Sequence, residues 1–130
     1  MRLCIKDPLT QYLESRGTRS ATLKKVYVCH PFRGGRPYTE EKAAKNMAAV
    51  SRICRLIAER DRCVPFSPIH AFSFYHALDA EATERVMRMC MELLETCDEM
   101  WVFGDWRNSE GCLKEIEHAS KARIPIKFKE

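Results

Sequence analysis

From Lys25 onward the chain alternates short apolar runs with amphipathic segments, and nothing else in it constrains the fold as much. Lys25-Val26-Tyr27-Val28-Cys29 reads as a strand. Thr39 to about Glu59 reads as a helix, with Ala43, Met47, Val50, Cys54 and Ile57 spaced by four and three. Cys63-Val64-Pro65-Phe66 is a short second strand, which Pro65 and Pro68 place at a sheet edge or make leave the sheet early. Residues 67–79 form an irregular aromatic connection. Asp79 caps a helix running to Thr96, whose core face carries Val86, Cys90, Leu93 and Cys97. A strand over 99–103, a helix from Ser109 to Ala122 and a last strand at Ile124–Phe128 complete the pattern. Four strands joined by three crossover helices predict an α/β fold: a three-layer, doubly wound parallel sheet with helices on both faces.

Residues 1–24 read as an extension ahead of a single α/β domain over 25–130. Asp7-Pro8 starts a short helical arm with Leu9, Tyr12 and Leu13 on one face and Gly17 as its stop. Ser15 to Thr22 is a polar connector, and the arm packs either on the core or on a second subunit.

In parallel sheets ligands collect at the carboxyl ends of the strands. Here those ends are the Cys29–Pro37 loop, the 67–76 segment and the Gly104–Gly111 loop. Ser109 opens the last helix after the apolar run Met100-Trp101-Val102-Phe103, which is the layout of an anion site, because the first N–H groups of a helix lack internal partners. Glu115 follows about 9 Å along the axis, at ~1.5 Å per residue. Glu110, Lys114, Glu117 and Lys121 form the solvated stripe of that helix. Glu115 falls instead in line with Cys112, Ala119 and Ala122, where a carboxylate is desolvated unless something pairs with it. Either an arginine elsewhere pairs with it, or its chemistry is used. Cys29-His30-Pro31-Phe32-Arg33-Gly34-Gly35-Arg36 has the parts of a phosphate cradle, but neither G-x-G-x-x-G nor G-K-[ST]. It is a cradle or a glycine turn with two solvated arginines.

Composition narrows the function classes. A chain of 130 residues, 45% hydrophobic and 31% charged, is one ordinary globular domain. No apolar run approaches the ~20 residues of a membrane span and no signal-peptide core opens the chain, so a cytoplasmic protein without membrane contact is expected. The seven cysteines form no C-x-x-C and no Cys/His cluster, which suits reduced thiols rather than a disulfide scaffold or zinc site. A net charge of +4, without a basic stripe or aromatic ladder, argues against nucleic acid as partner.

Together, Val26-Tyr27-Val28-Cys29, Arg33-Gly34-Gly35-Arg36, Cys97-Asp98 before a strand and Ser109-x-Gly111-x-x-x-Glu115 resemble the nucleoside 2-deoxyribosyltransferase superfamily. Within it the likeness is to the 2′-deoxynucleoside 5′-phosphate N-glycosidases. It is stronger to bacterial and phage proteins with a Pro-Phe/Tyr-Arg-Gly loop, a Ser-Pro-x-His segment and a Trp-x-x-Ser-x-Gly-x-x-x-Glu motif. The resemblance spans Lys25–Lys129 and implies a Rossmann-like or flavodoxin-like sheet. It also implies an enzyme cleaving the base–sugar bond of a nucleoside or nucleotide. Glu115 would be the nucleophile at C1′, with water or a second base releasing the sugar. Ser109 and Gly111 match the residues that hold a 5′-phosphate, Arg33 with the backbone of Gly34 and Gly35 matches the first loop, and Tyr27 matches a tyrosine near the sugar. No metal or organic cofactor is implied. A homo-oligomer is, with the 67–76 segment and the arm as contacts.

One position departs from the pattern. Where the family carries an aspartate near the reacting base, this chain has Cys90. Proton donation then falls to Asp105, His70 or His30, of which Asp105 is the catalytic candidate and His30 and His70 also belong with the substrate-binding residues. The alternative function is a nucleotide-binding sensor or sequestering module without catalysis. Among other residues, Cys112 near a helix N-terminus is a second possible nucleophile. Trp106 walls the base pocket or covers the sheet edge, Asp98 orders backbone, Glu84 and Arg85 form an ion pair, and Asn46 ties down the glycine loop.

Overall fold

A computed structural model describes residues 7–15, 23–76 and 78–129. After the arm helix α1 (Pro8–Ser15), the elements run β1 (Lys25–Cys29), α2 (Glu40–Leu56), β2 (Val64–Phe66), α3 (Pro68–Ala71), α4 (Thr83–Glu95), β3 (Glu99–Val102), α5 (Glu110–Lys121) and β4 (Ile126–Phe128). Every strand pair is parallel and the order is β2-β1-β3-β4. The expected α/β sheet is therefore observed, with β2 at an edge, where Pro65 leaves no ladder hydrogen bond unmade. Because β2 and β3 flank β1, the strand order reverses between β1 and β3. At such a switch point the loops part and leave a crevice.

Side-chain alternation sorts the two faces. Tyr27, Cys29, Met100 and Val102 pack against Cys90, Leu94, Cys112 and Ala119 of α4 and α5. Val26, Val28 and Trp101 pack against Val50 and Ile57 on the α2 side. Residues two apart on a strand share a face, so Tyr27 and Cys29 look toward α5 together.

Near the amino ends of the strands two acids brace the sheet. The Asp98 carboxylate accepts the Lys25 N–H at 2.8 Å, the ordering role expected of it. Glu99 pairs with Lys24 at 2.7 Å and Lys127 at 3.0 Å and accepts the Trp101 indole N–H at 2.9 Å. Lys24, Trp101 and Lys127 together hold its pKa down at about 2.

Some boundaries differ from the sequence reading. Thr39, where the helix was expected to begin, caps α2, but α-geometry ends at Leu56 and a π-helical turn, Ile57–Asp61, follows. Within the stretch read as irregular, Ser67 caps the short α3, with Pro68 at its first position. The Asp79 carboxylate accepts the N–H groups of Glu81 and Ala82, so it orders the turn before α4, which starts at Thr83. Glu84 pairs with Arg88 rather than Arg85, whose guanidinium donates to the Tyr75 hydroxyl. A helix repeat brings residues four apart together, not neighbours. The Asp7 carboxylate caps α1 through the Thr10 N–H. Gly17 and residues 16–22 lie outside the described residues.

Candidate active site

A cleft opens at the carboxyl ends of β1 and β3, enclosing about 860 Å³ of non-atom space with its open mouth included. The β1 loop contributes His30, Arg33 and Gly34, and the start of α5 contributes Ser109, Gly111, Cys112 and Glu115. Pro68, Ile69, Phe72, Tyr75, Val86 and Met87 wall it from α3, the following turn and α4. Gly34 takes φ +73, a conformation favoured by glycine, and Asn46 fixes the loop by donating to the Phe32 carbonyl at 2.7 Å. The other loop turns at Gly104, φ +72, where a Cβ would stand 3.0 Å from His30 Nε2.

Glu115 is only 6% exposed, and among the described residues no arginine pairs with it. Its partners come from the same face of β1: the Tyr27 hydroxyl donates to Oε2, and Cys29 Sγ lies 3.7 Å from Oε1. Burial pushes the carboxyl up to about 7, against the opposing pull of those two hydrogen bonds. Burial and the adjoining carboxylate hold the Tyr27 hydroxyl well above its usual range, so it stays a donor. Cys90, on the wall beside them, is pushed up to about 12, chiefly by burial and then by Glu115.

Ser109 caps α5 by accepting the Cys112 N–H at 3.2 Å. Among the described residues no partner is found for the N–H groups of Glu110 and Gly111, which remain available to an anion. A Cβ at Gly111 would meet only ordinary contacts, so space alone does not require glycine there. Arg33, half-buried, stacks over the Tyr38 ring at 4.5 Å. His30 Nδ1 lies 2.7 Å from the Pro31 carbonyl, which can only accept, so the proton sits on Nδ1 and Nε2 is bare. Burial lowers the pKa of this ring.

Ligand atoms of Cys29, Cys112 and Glu115 lie within 4.8 Å of one another, the spacing of a possible thiophilic cation site. A cation would need Cys29 as thiolate. The hydrogen bond that Cys29 donates to Cys112, burial and Glu115 all push that thiol well above its usual range, which fits the trio poorly to a resident metal.

The family model described as a domain of unknown function (DUF7768) matches residues 24–129. The chain belongs to that family. No curated protein matches it. A solved structure of a 2-deoxyribosyltransferase from the psychrotolerant bacterium Bacillus psychrosaccharolyticus is similar over 80% of this chain and 70% of that one, with TM-score 0.57 and 20% identity. That likeness shows that the DUF7768 domain has the nucleoside deoxyribosyltransferase fold.

The DUF7768 cleft gathers most of the residues singled out in the sequence. His30, Arg33, Gly34, Ser109, Gly111 and Glu115 line it, and Tyr27 lies beneath on Glu115. Three stand elsewhere. Gly35 faces Asn108 and gives its carbonyl to Lys42. Asp105 is exposed and accepts the Asn108 amide at 2.7 Å, bracing the turn before α5. His70 is held in a separate recess: Ser51 donates to the Met47 carbonyl, so it accepts from His70 Nε2, while Nδ1 takes the Ser67 hydroxyl. Trp106 covers the sheet edge, 5.0 Å from the Phe128 ring. The sequence reading missed Cys29 as a partner of Glu115, although its i, i+2 relation to Tyr27 was the available signal. Phe72 and Tyr75, from the 67–76 segment expected at the ligand end of the sheet, form cleft wall.

Proposed function

We propose that this DUF7768 domain cleaves the N-glycosidic bond of a nucleoside or nucleotide, with Glu115 as nucleophile. One observation carries the reading: a carboxyl with no cationic partner among the described residues is buried at the base of the cleft, with a tyrosine hydroxyl aimed at it. Structural glutamates are paired, as Glu99 is; one left unpaired costs stability and is kept for chemistry. Attack of the carboxylate on C1′ forms a glycosyl ester as the base departs, and water or a second base then releases the sugar. Arg33, Ser109 and the free N–H groups of α5 suit a 5′-phosphate. Of Asp105, His70 and His30, only His30 lines the cleft, and its bare Nε2 suits it to take a proton from the attacking water rather than to give one to the base.

The test is base release. Wild type and Glu115→Ala are incubated with nucleosides and nucleotides in ribo and 2′-deoxy form, and free base is measured by chromatography. Release by wild type alone supports the reading; equal release by the variant removes Glu115 from it. Cys90 on the cleft wall favours a second reading, a binding module: ligand-induced thermal stabilisation without release, tolerant of Glu115→Gln, would establish that instead. The same reading carries a homo-oligomer, for which Phe74, 73% exposed beside the cleft wall, is a candidate contact. A monomer by light scattering at working concentration would remove that part.

A further inference from the structure

Resting on the glycosidase reading, we infer that the base cleaved from the sugar is a cationic heterocycle, a pyridinium or an N-alkylated purinium, in a nucleotide that also carries phosphate. Two features of the cleft, independent of each other, point to such a ligand. The first is charge. Among the described residues no lysine, arginine or histidine pairs with Glu115, and the lining of its cleft includes Phe32, Phe72, Tyr75 and Met87. A cleft with a carboxylate at its base and aromatic rings and a polarisable sulfur in its lining suits a flat cation, which the carboxylate and ring quadrupoles both attract. Arg33 and the α5 N–H groups, in the same cleft, take the opposite charge. The site is therefore matched to a molecule bearing both.

The second feature is the proton inventory. A neutral nucleobase leaves as an anion unless it is protonated. His30 is a poor acid: its proton on Nδ1 is directed at the Pro31 carbonyl, and burial lowers the pKa at which Nε2 would take a second one. The Cys90 thiol is beside Tyr27 and Glu115, with a pKa pushed up to about 12 by burial, and is a poor acid. Asp79 and Glu110, the other carboxyls lining the cleft, are exposed, and Asp79 is occupied by two backbone N–H groups; His76, the second histidine of the lining, is exposed, with Nδ1 accepting the Leu78 N–H and its proton on Nε2 directed at Glu40 at 2.9 Å.

A cationic base needs no acid. Glu115 Oε bonds to C1′, the C1′–N bond breaks, and its electron pair goes to the ring nitrogen. Carboxylate and cation vanish together into a neutral ester and a neutral heterocycle. Water then adds to C1′, the ester bond returns its pair to Glu115, and the proton of water passes to a base, for which His30 Nε2 is available in the cleft.

The experiment compares matched pairs differing only in ring charge: nicotinamide mononucleotide with its reduced form, and N7-methylguanosine monophosphate with guanosine monophosphate, each in ribo and 2′-deoxy form. Base release is measured for wild type and Glu115→Gln, and kcat/KM is divided by the uncatalysed rate. The expected result is an enhancement at least tenfold larger for the cationic member of a pair, lost in the variant. Glu115-dependent release that is equal or larger for neutral members overturns this inference and leaves the glycosidase reading standing. Release from none of these, nor from any compound of the wider panel, overturns both.

Discussion

Replacing Glu115 by Gln tests the premise under every functional statement above, and needs no substrate. In the unfolded chain this carboxyl titrates near 4.5; in the folded protein burial holds it at about 7. Between those values the folded state keeps a proton that the unfolded state has lost. Stability from this group is thus full below pH 4.5 and declines as pH rises through 7. At 1.36 kcal/mol per unit, the loss is about 3 kcal/mol. The amide has the same shape, still accepts from Tyr27 and does not titrate. The assay is urea unfolding followed by tryptophan fluorescence at half-unit steps from pH 5 to 8. Other titrating groups, including Glu99 with its low pKa, are common to both proteins and cancel in the difference. Relative to wild type, Glu115→Gln should gain about 2.5 kcal/mol across that window, the rest of the linkage lying below pH 5. A difference that stays constant to within about 1 kcal/mol, far below the linkage value, would refute the claim that this carboxyl is buried without a counter-charge.

Three further perturbations reach other parts of the cleft. Tyr27→Phe removes a hydrogen bond to an ionised group, of order 1.5–3 kcal/mol, so the acid limb of kcat/KM should move up by about 1–2 pH units. Activity at pH 7 should then fall roughly 5- to 50-fold and recover above pH 9; an unmoved limb would show that the hydroxyl does not hold the carboxylate. Gly104→Ala puts a side chain at φ +72 and a Cβ 3.0 Å from His30 Nε2, which should cost at least ~1–2 kcal/mol in urea unfolding and slow base release by displacing the ring. Cys90→Asp places a second carboxyl by Glu115, and one of the two must hold a proton. Release of neutral bases should rise relative to cationic ones, and an unchanged ratio would remove position 90 from leaving-group departure.

The parallel sheet was legible because β1, β3 and the three crossover helices each carry a clean apolar period. Glu115 was legible as buried because Lys114, Glu117 and Lys121 claim the other side of α5. What paired with it was not, since Tyr27 and Cys29 reach it across 88 and 86 positions of sequence and only strand register brings them there. His70 and Asp105 misled for a related reason. Their loops do run to the cleft end of the sheet, but local hydrogen bonds to Ser51, Ser67 and Asn108 hold both side chains elsewhere. Periodicity is also silent on α3, a single turn whose only sequence mark is Ser67-Pro68.

Glu99 carries one more consequence. Its clamp on Lys24, Trp101 and Lys127 ties β1, β3 and β4 near their amino ends, at the opposite end of the sheet from the cleft. Strand alignment is thereby secured by charges that no ligand touches. The outer cleft wall is left freer to drift: Met87 and Tyr75 belong to neither buried core cluster, so they can be exchanged with little disturbance to the frame that presents Glu115. A lineage built this way can change the molecule it handles by a few wall substitutions, and an engineer can take the same route, randomising the walls while leaving Lys24, Asp98, Glu99 and Lys127 alone.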